Sequence, residues 1–176
     1  MTLVQMWEGL VHAGVRFIVI GGVAGVARGS ARRTKDLDVC YDPSPDNIER
    51  LAELLRSWNA HLRIRDGSGS TLPFVIDAKT FRGSPNLTLE TSLGWLDLLG
   101  DVTGLGDYSA ALAKSEPIDV GPVTLQVLTL DALIESKRAT GRKQDQEQLI
   151  ELEAIRALKQ VQATSPPRPP RRRRSQ

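Results

Sequence analysis

Helical and strand-like patterns of apolar residues alternate along most of the chain. They predict helices at 3–13, 22–29, 44–58, 107–114, 130–140 and 145–161. Short apolar runs predict strands at 16–20, 36–42, 61–65, 72–76, 87–90 and 94–98, and then a hairpin over 116–128 that turns at Gly121-Pro122. Because the helices and strands do not alternate regularly, we expect an α/β (α+β) fold in which a mixed sheet is flanked by helices.

The last residues differ in composition from the rest of the chain. We expect residues 1–161 to form one domain, with a helical end at about 129–161, and residues 162–176 to be a disordered Pro/Arg-rich tail. Five of the 23 basic residues lie in this tail, which leaves 18 basic against 21 acidic residues in the body. The body is therefore not a basic nucleic-acid-binding surface, and the tail is either a solvated end or a tether for RNA.

Cysteine and histidine usage excludes several classes of site. Cys40 is the single cysteine, so disulfides within the chain and zinc clusters of several thiolates are excluded. His12 and His61 are well separated, which argues against a histidine-based zinc site. No apolar run approaches the roughly 20 residues of a membrane span, and the N-terminus does not resemble a signal peptide. We expect a cytoplasmic protein without a membrane partner.

A pair of glycines, Gly21-Gly22, follows the first predicted strand and precedes a helix. A dinucleotide-binding GxGxxG loop does not fit, because Val23 occupies the position of its second glycine. A P-loop does not fit either, because no lysine follows Gly25 or Gly29. Backbone amides at such a turn can approach a phosphate closely. The turn therefore indicates either a phosphate site or a tight connection without a ligand.

Two acidic residues, Asp36 and Asp38, lie inside the second predicted strand. Side chains alternate along a strand, so both carboxylates face the same way. Two unpaired buried carboxylates are costly, and a shared divalent cation relieves that cost. Carboxylate oxygens favour Mg²⁺. The alternative is that the two acids cap a turn or pair with the nearby cations Arg32, Arg33 or Lys35.

The glycine pair and the acids together resemble a known family signature. "GG" followed by "RRTKDLDV" is similar to the polymerase-beta-type nucleotidyltransferase superfamily, in which hG[GS] ends a strand and D-h-D lies on the next. The segments "LGWLDLLGDV" and "LIESKRATGRKQDQEQLIELEAI" resemble a small bacterial branch related to the toxins (AbiEii) of AbiE-type toxin–antitoxin systems. The resemblance covers about residues 5 to 158.

This resemblance implies a nucleotidyltransferase fold whose C-terminal helices pack beside the site. It also implies a Mg²⁺-dependent enzyme that transfers NMP from an NTP to a hydroxyl of RNA, such as a tRNA 3′ end, or of protein. In a toxin–antitoxin system an antitoxin protein would silence the enzyme. The alternative function is a non-catalytic module that binds nucleotide or protein on the same fold.

The resemblance also implies three catalytic and metal-binding acids. Asp36 and Asp38 would hold the metals, and the third acid would lie on a later strand between apolar residues. Asp97 in "WLDLL" fits that setting best, and Asp77 in "FVIDAKT" is the rival.

Further residues are expected to bind the nucleotide. The resemblance implies that Gly21, Gly22, Arg33 and Thr34 lie near the triphosphate and that Lys137 contacts a phosphate. Lys137 shares a helix face with Leu133 and Ile134, so snorkelling to solvent is the alternative. Arg142, Lys143 and Asp145 follow at a glycine-broken corner and are weaker candidates, because helix capping is enough to explain Asp145.

Overall fold

The structure, a computed structural model, describes residues 2–64, 71–72 and 75–164. Its helices are α1 (Thr2–His12), α2 (Gly21–Ala27), α3 (Pro45–Ser57), α4 (Ala78–Gly83), α5 (Tyr108–Leu112), α6 (Leu130–Thr140) and α7 (Lys143–Thr164). Its strands are β1 (Phe17–Val19), β2 (Asp36–Tyr41), β3 (His61–Arg63), β4 (Thr71–Leu72), β5 (Leu87–Thr91), β6 (Gly94–Leu99), β7 (Asp101–Val102), β8 (Gly106–Asp107), β9 (Ser115–Val120) and β10 (Val123–Leu128).

Eight of these strands form one mixed sheet in the order β4-β3-β5-β6-β2-β1-β10-β9, and β7 and β8 pair separately. The pairs β2–β6 and β1–β10 are parallel, whereas the other pairs of the large sheet are antiparallel. Residues close in sequence thus form hairpins at the sheet edges, while the centre joins distant segments. The prediction of a mixed sheet flanked by helices is confirmed.

The parallel pair β2–β6 brings the acidic strand beside "WLDLL". In its register Asp36 lies opposite Trp95, and Asp38 lies opposite Asp97. The intervening Leu37 and Val39 of β2 and Leu96 and Leu98 of β6 point to the opposite face and are buried. This alternation fixes the register, because a slip of one residue would exchange the acids with the core leucines.

Apolar side chains from both halves of the sheet form one core cluster with the helices. Leu89 of β5 and Leu96 of β6 are fully buried in it, together with Leu51 and Leu55 of α3. The acidic face of the same strands is less covered, since Thr88 and Glu90, which face that way on β5, are half-exposed. The core therefore supports the sheet from one side, and polar groups collect on the other.

The two C-terminal helices pack against each other around a glycine. Thr129 caps α6 by accepting a hydrogen bond from the Ala132 N–H, and α6 ends at Gly141 with φ of 63°. The turn lets α7 start at Lys143 and fold back along α6. Leu152 of α7 is fully buried in the core. The corner between the helices faces the acidic strands, as the site contacts below show.

Several predicted elements differ in detail from those of the structure. The expected strand at 72–76 is only Thr71–Leu72 where it is described, because residues 75–76 lie in the loop before α4 and residues 73–74 fall outside the described residues. Helix α4 and the β7–β8 pair were not predicted. Such short elements carry too few apolar residues for a periodic pattern.

The end of the predicted domain falls within a helix. The last helix continues past residue 161 to Thr164, and the remaining tail lies outside the described residues. Among the helices described, none combines the length and the apolar composition that crossing a membrane requires.

Candidate active site

Three carboxylates meet at the centre of the sheet. Asp36 and Asp38 of β2 and Asp97 of β6 each place a carboxylate oxygen within 4.8 Å of the others. The register of the parallel pair creates this cluster, because it sets Asp38 directly beside Asp97 on the polar face. Asp77 lies elsewhere, where it caps α4 by accepting a hydrogen bond of 2.8 Å from the Thr80 N–H. The structure thus groups Asp97, and not its rival, with the two strand acids.

The three carboxylates of the cluster repel one another when they are ionised. Burial, and after it the charges of the neighbouring Asp36 and Asp97 carboxylates, raise the pKa of the Asp38 carboxyl from 3.8 to about 6. A hydrogen bond from the Gly22 N–H and the charge of Lys137 act in the opposite direction without offsetting the rise. Three acids so placed need a compensating cation if all are ionised.

The donor set fits a divalent metal ion. All three side chains offer oxygen, which suits Mg²⁺ or another hard cation, and their oxygens are close enough to share one. The raised pKa of Asp38 supports the same conclusion, because a bound cation would relieve the repulsion between the carboxylates. Asp36, Asp38 and Asp97 are therefore the residues that would hold the metal.

The two glycines that begin α2 lie close to these acids. Gly21 has φ of +60°, and a Cβ there would lie 2.1 Å from Asp38 Oδ2. A Cβ on Gly22 would lie 2.6 Å from Thr34 Oγ1, and the Gly22 N–H donates to Asp38 Oδ2 over 3.4 Å. The Thr34 hydroxyl in turn donates to Asp36 Oδ1 over 2.7 Å. Close approach to Asp38 therefore explains Gly21, and close approach to Thr34 explains Gly22.

A cationic cavity adjoins the acids on the side of Asp36. Its volume is about 550 Å³, and it is lined by Gly22, Thr34, all three acids and the residues Arg32, Arg33, Lys137, Arg142, Asp145 and Gln148. Most of the residues predicted to bind nucleotide therefore surround one space. Its four cationic side chains face four carboxylates, Asp36, Asp38, Asp97 and Asp145, and with a metal ion on the three clustered acids they suit an anionic ligand such as a triphosphate.

Lys137 is paired in this structure. Its Nζ donates to Asp145 Oδ1 over 2.6 Å, and both side chains are largely buried. The pair joins the last turn of α6 to the first turn of α7 across Gly141. Asp145 thus holds Lys137 at the wall of the cationic cavity. Arg142 lies in the corner and is exposed, and the side chain of Lys143 falls outside the described part of the structure.

The loop between α2 and β2 is anchored to α7. Glu151 accepts hydrogen bonds from the Ser30 hydroxyl at 3.0 Å and from the Ala31 N–H at 2.8 Å. Arg32 forms an ion pair with Glu147 at 2.8 Å. Since this loop also carries Arg33 and Thr34, α7 positions one wall of the cationic cavity.

Sequence reasoning missed Arg63, which approaches the third acid. Its Nη2 donates to Asp97 Oδ1 at 3.5 Å, and its guanidinium carbon lies 4.5 Å from the centre of the Trp95 ring. Its Nη1 is buried without a hydrogen-bond partner. No local motif could have revealed Arg63, because its strand reaches Asp97 only through the pairing of β3 with β5 and of β5 with β6.

A second, polar cavity adjoins Asp38 and Asp97 on the other side. Its volume is about 270 Å³, and its further lining includes Asn86, Thr88, Asp101, Thr103 and Arg142. Strands β2 and β6 run in the same direction, from Asp36 and Trp95 toward Cys40 and Leu99. The cationic cavity includes Asp36, at the N-terminal end of β2. The polar cavity includes Leu99, at the C-terminal end of β6, and Asp101, which follows it. The acids Asp38 and Asp97 therefore separate two spaces of different chemistry.

The fold is similar to that of antibiotic-modifying nucleotidyltransferases of known structure. The lincosamide antibiotic adenylyltransferase LnuA, in its lincomycin-bound crystal structure, is 13% identical with a TM-score of 0.56, over 88% of this chain and 96% of that chain. The crystal structure of ANT(2'')-Ia with adenylyl-2''-tobramycin is 12% identical with a TM-score of 0.53, over 93% of this chain and all (100%) of that chain. No protein-family model matches the sequence, and no curated protein matches it either.

These likenesses concern the fold, because the sequence identities are low. The chain has the nucleotidyltransferase fold that its glycine pair and D-x-D motif implied. The finer relationship to AbiE-type toxins stays a prediction.

Proposed function

We propose that the protein is a metal-dependent nucleotidyltransferase that moves NMP from an NTP to a hydroxyl acceptor. The observation that carries this proposal is the convergence of Asp36, Asp38 and Asp97 on two central strands of a nucleotidyltransferase fold. Three carboxylates beside a cationic cavity provide what phosphoryl transfer requires, namely metal ligands and a place for the triphosphate.

The residues of the chain take distinct parts in this reaction. A bound Mg²⁺ would supply charge neutralisation of the phosphate oxygens. Arg33, Lys137 and Arg142 hold the triphosphate in the cationic cavity, where their charges favour pyrophosphate as it leaves. Asp97, beside the polar cavity, accepts the proton of the acceptor hydroxyl.

Nucleotide binding requires Lys137 to share or leave its partner. Lys137 Nζ donates a hydrogen bond to Asp145 Oδ1 in the structure. A phosphate oxygen offers a stronger partner than a single carboxylate that is already fixed, and Lys137 has three donors. We therefore expect Asp145 to orient Lys137 toward the phosphate instead of binding the nucleotide directly.

Two observations bear on the chemical class of the acceptor. The resemblance of the motifs to AbiE-type toxins supports an RNA 3′ end or a protein hydroxyl, with an antitoxin as partner. The two structural neighbours have lincomycin or an adenylylated tobramycin in their structures, which supports a small-molecule hydroxyl. The likeness extends over nearly the whole of those chains.

Incubation with each labelled NTP, Mg²⁺ and one of three acceptor pools tests the proposal. Total RNA, a protein extract and a small-metabolite fraction serve as the pools, and transfer is followed with pyrophosphate release. We expect label in one pool with wild-type protein and a loss of at least about 100-fold in Asp36→Ala or Asp38→Ala. Glu49→Gln, an exposed change on α3, is the control.

Binding measurements distinguish a catalytic nucleotidyltransferase from a non-catalytic regulatory module with the same fold. Calorimetry with Mg²⁺ and a non-hydrolysable NTP analogue reports binding without turnover. If wild-type protein binds the analogue but releases no pyrophosphate with any pool, the non-catalytic module replaces the enzyme. Equal transfer by wild type and both aspartate variants would contradict the proposed site.

A further inference from the structure

The two cavities beside the acids indicate where the acceptor binds. In an in-line displacement the attacking and leaving oxygens lie on opposite sides of the phosphorus. The cationic cavity suits the triphosphate and hence the leaving pyrophosphate. The polar cavity lies on the other side of Asp38 and Asp97. This step rests on the proposed function, and it assigns the polar cavity to the attacking hydroxyl.

The walls of the polar cavity limit the chemistry of that acceptor. Beyond the acids, Thr88 and Thr103 contribute hydroxyls and Asn86 contributes an amide. The Asn86 Oδ1 accepts a hydrogen bond of 3.0 Å from the Gly100 N–H, which fixes the amide in place. Such groups suit ring hydroxyls. A volume of about 270 Å³ is enough for one sugar-sized group.

Asp101 adds a third carboxylate to the lining of the polar cavity, beside Asp38 and Asp97. This carboxylate is exposed in β7, and among the described residues it forms no ion pair. The neighbouring strand places Asp107 opposite it, so a second negative charge lies close by. Arg142 is the cation of this lining, and it also lines the cationic cavity, where a triphosphate would attract it. An acceptor with an ammonium group would pair with Asp101.

We propose that the polar cavity binds a small acceptor that carries both a hydroxyl and an ammonium group, as an amino sugar does. Asp101 recognises the ammonium group, and the acceptor hydroxyl lies beside Asp97. The hydroxyl oxygen forms the new bond to the α-phosphorus, the bond to the β-phosphate oxygen breaks, pyrophosphate leaves, and the hydroxyl proton passes to Asp97. An RNA end fits this cavity poorly, because its lining offers no cluster of cations for the backbone phosphates.

Matched sugars test this assignment. Glucosamine and galactosamine are each compared with their neutral counterparts glucose and galactose, with labelled ATP and GTP and Mg²⁺. Mass spectrometry of the products identifies transfer to the sugar. We expect transfer to an amino sugar with a kcat/KM at least about tenfold above that of its neutral counterpart, as loss of one charged hydrogen bond predicts.

Variants of Asp101 show whether the carboxylate is responsible. Asp101→Asn should raise the KM for the amino sugar about tenfold, so that the preference over the neutral counterpart is lost, whereas the KM for NTP should change less than about twofold. Asp101→Lys should remove the preference for the amine altogether. Glu49→Gln serves as the surface-charge control, and thermal denaturation verifies that each variant is folded.

Two outcomes would overturn the assignment and leave the proposed function intact. One is transfer to RNA or protein without any transfer to an amino sugar. The other is amino-sugar transfer that does not change in Asp101→Lys. A failure of the proposed function is distinguishable, because wild-type protein would then release no pyrophosphate with any acceptor and the sugars would not be labelled.

Discussion

The Asp38 carboxylate is largely buried and lies close to the carboxylates of Asp36 and Asp97. Its raised pKa means that the folded protein binds a proton at Asp38 more tightly than the unfolded chain does. The associated stability is fully present below pH 3.8, and it is lost as the pH rises through about 6. Metal-free protein above pH 6 therefore contains an unfavourable charge cluster at its centre.

Asp38→Asn removes that unfavourable charge. Without divalent metal at pH 8, we expect this variant to denature a few degrees above wild type, which corresponds to about 1–3 kcal/mol. The difference should disappear near pH 4, where Asp38 is protonated in the folded wild type. Thermal denaturation between pH 4 and 8 in the presence of a chelator measures both effects.

Added Mg²⁺ provides the matching control. It should raise the denaturation temperature of wild type, because it binds the folded state, and it should have little effect on Asp38→Asn. Two results would contradict this account of the cluster. One is an Asp38→Asn variant that is less stable than wild type at pH 8, and the other is an Asp38→Asn variant that Mg²⁺ stabilises as much as it stabilises wild type.

Arg63 is a positioning residue for Asp97. It contacts Asp97 with one nitrogen and lies over Trp95, so Arg63→Met should leave the third acid less well oriented. We expect kcat to fall about tenfold while the affinity for Mg²⁺·NTP changes less than about threefold. Arg50→Met, which removes an exposed ion pair with Asp46, is the matched control. An equal loss of nucleotide affinity would place Arg63 on the nucleotide side.

The turn from β1 into α2 is built for contact with the acids. Gly21→Ala would place a methyl group 2.1 Å from Asp38 Oδ2 in a left-handed backbone conformation. We expect a loss of about 1–3 kcal/mol in the free energy of unfolding and a loss of activity larger than that change explains. Denaturant unfolding and the transfer assay measure the two effects.

Gly83 at the end of α4 is the matched glycine control. A Cβ on Gly83 would meet no atom within 4 Å, so Gly83→Ala should leave stability and activity nearly unchanged. If both glycine variants behaved alike, close packing against Asp38 would not be the reason for Gly21.

Local motifs predicted most of the elements and the residues that the structure brings together as a site. Asp36 and Asp38 stand out because carboxylates interrupt an apolar strand, and Asp97 stands out for the same reason. Arg63 and Asp101 carry no such signal, because their place depends on the order of distant strands. The helix α4 was missed because six residues show no clear period. Element type followed from periodicity, whereas long-range pairing did not.

The domain boundary is open to a direct test. We propose that residues 165–176 are dispensable for folding and for nucleotidyl transfer, because the described elements already form one sheet and core. A chain truncated after Thr164 should keep the denaturation temperature and kcat of the full chain. Calorimetry and the transfer assay verify this, and a large loss of either would make the tail part of the domain.

The same truncation examines the tail as a tether. Its arginines would bind RNA through phosphate contacts, so a tether predicts lower RNA affinity and a weaker salt dependence after truncation. Unchanged RNA binding would leave the tail a solvated end.

The pairing of β2 with β6 has a kinetic consequence. These strands are separated by more than fifty residues in sequence, and pairing so distant forms late and slowly. Until it forms, Asp97 is remote from Asp36 and Asp38, although the edge hairpins are able to fold. During refolding, catalytic activity should therefore recover at the rate of the slowest phase of sheet formation. The rate at which activity returns would then measure the rate at which β2 pairs with β6.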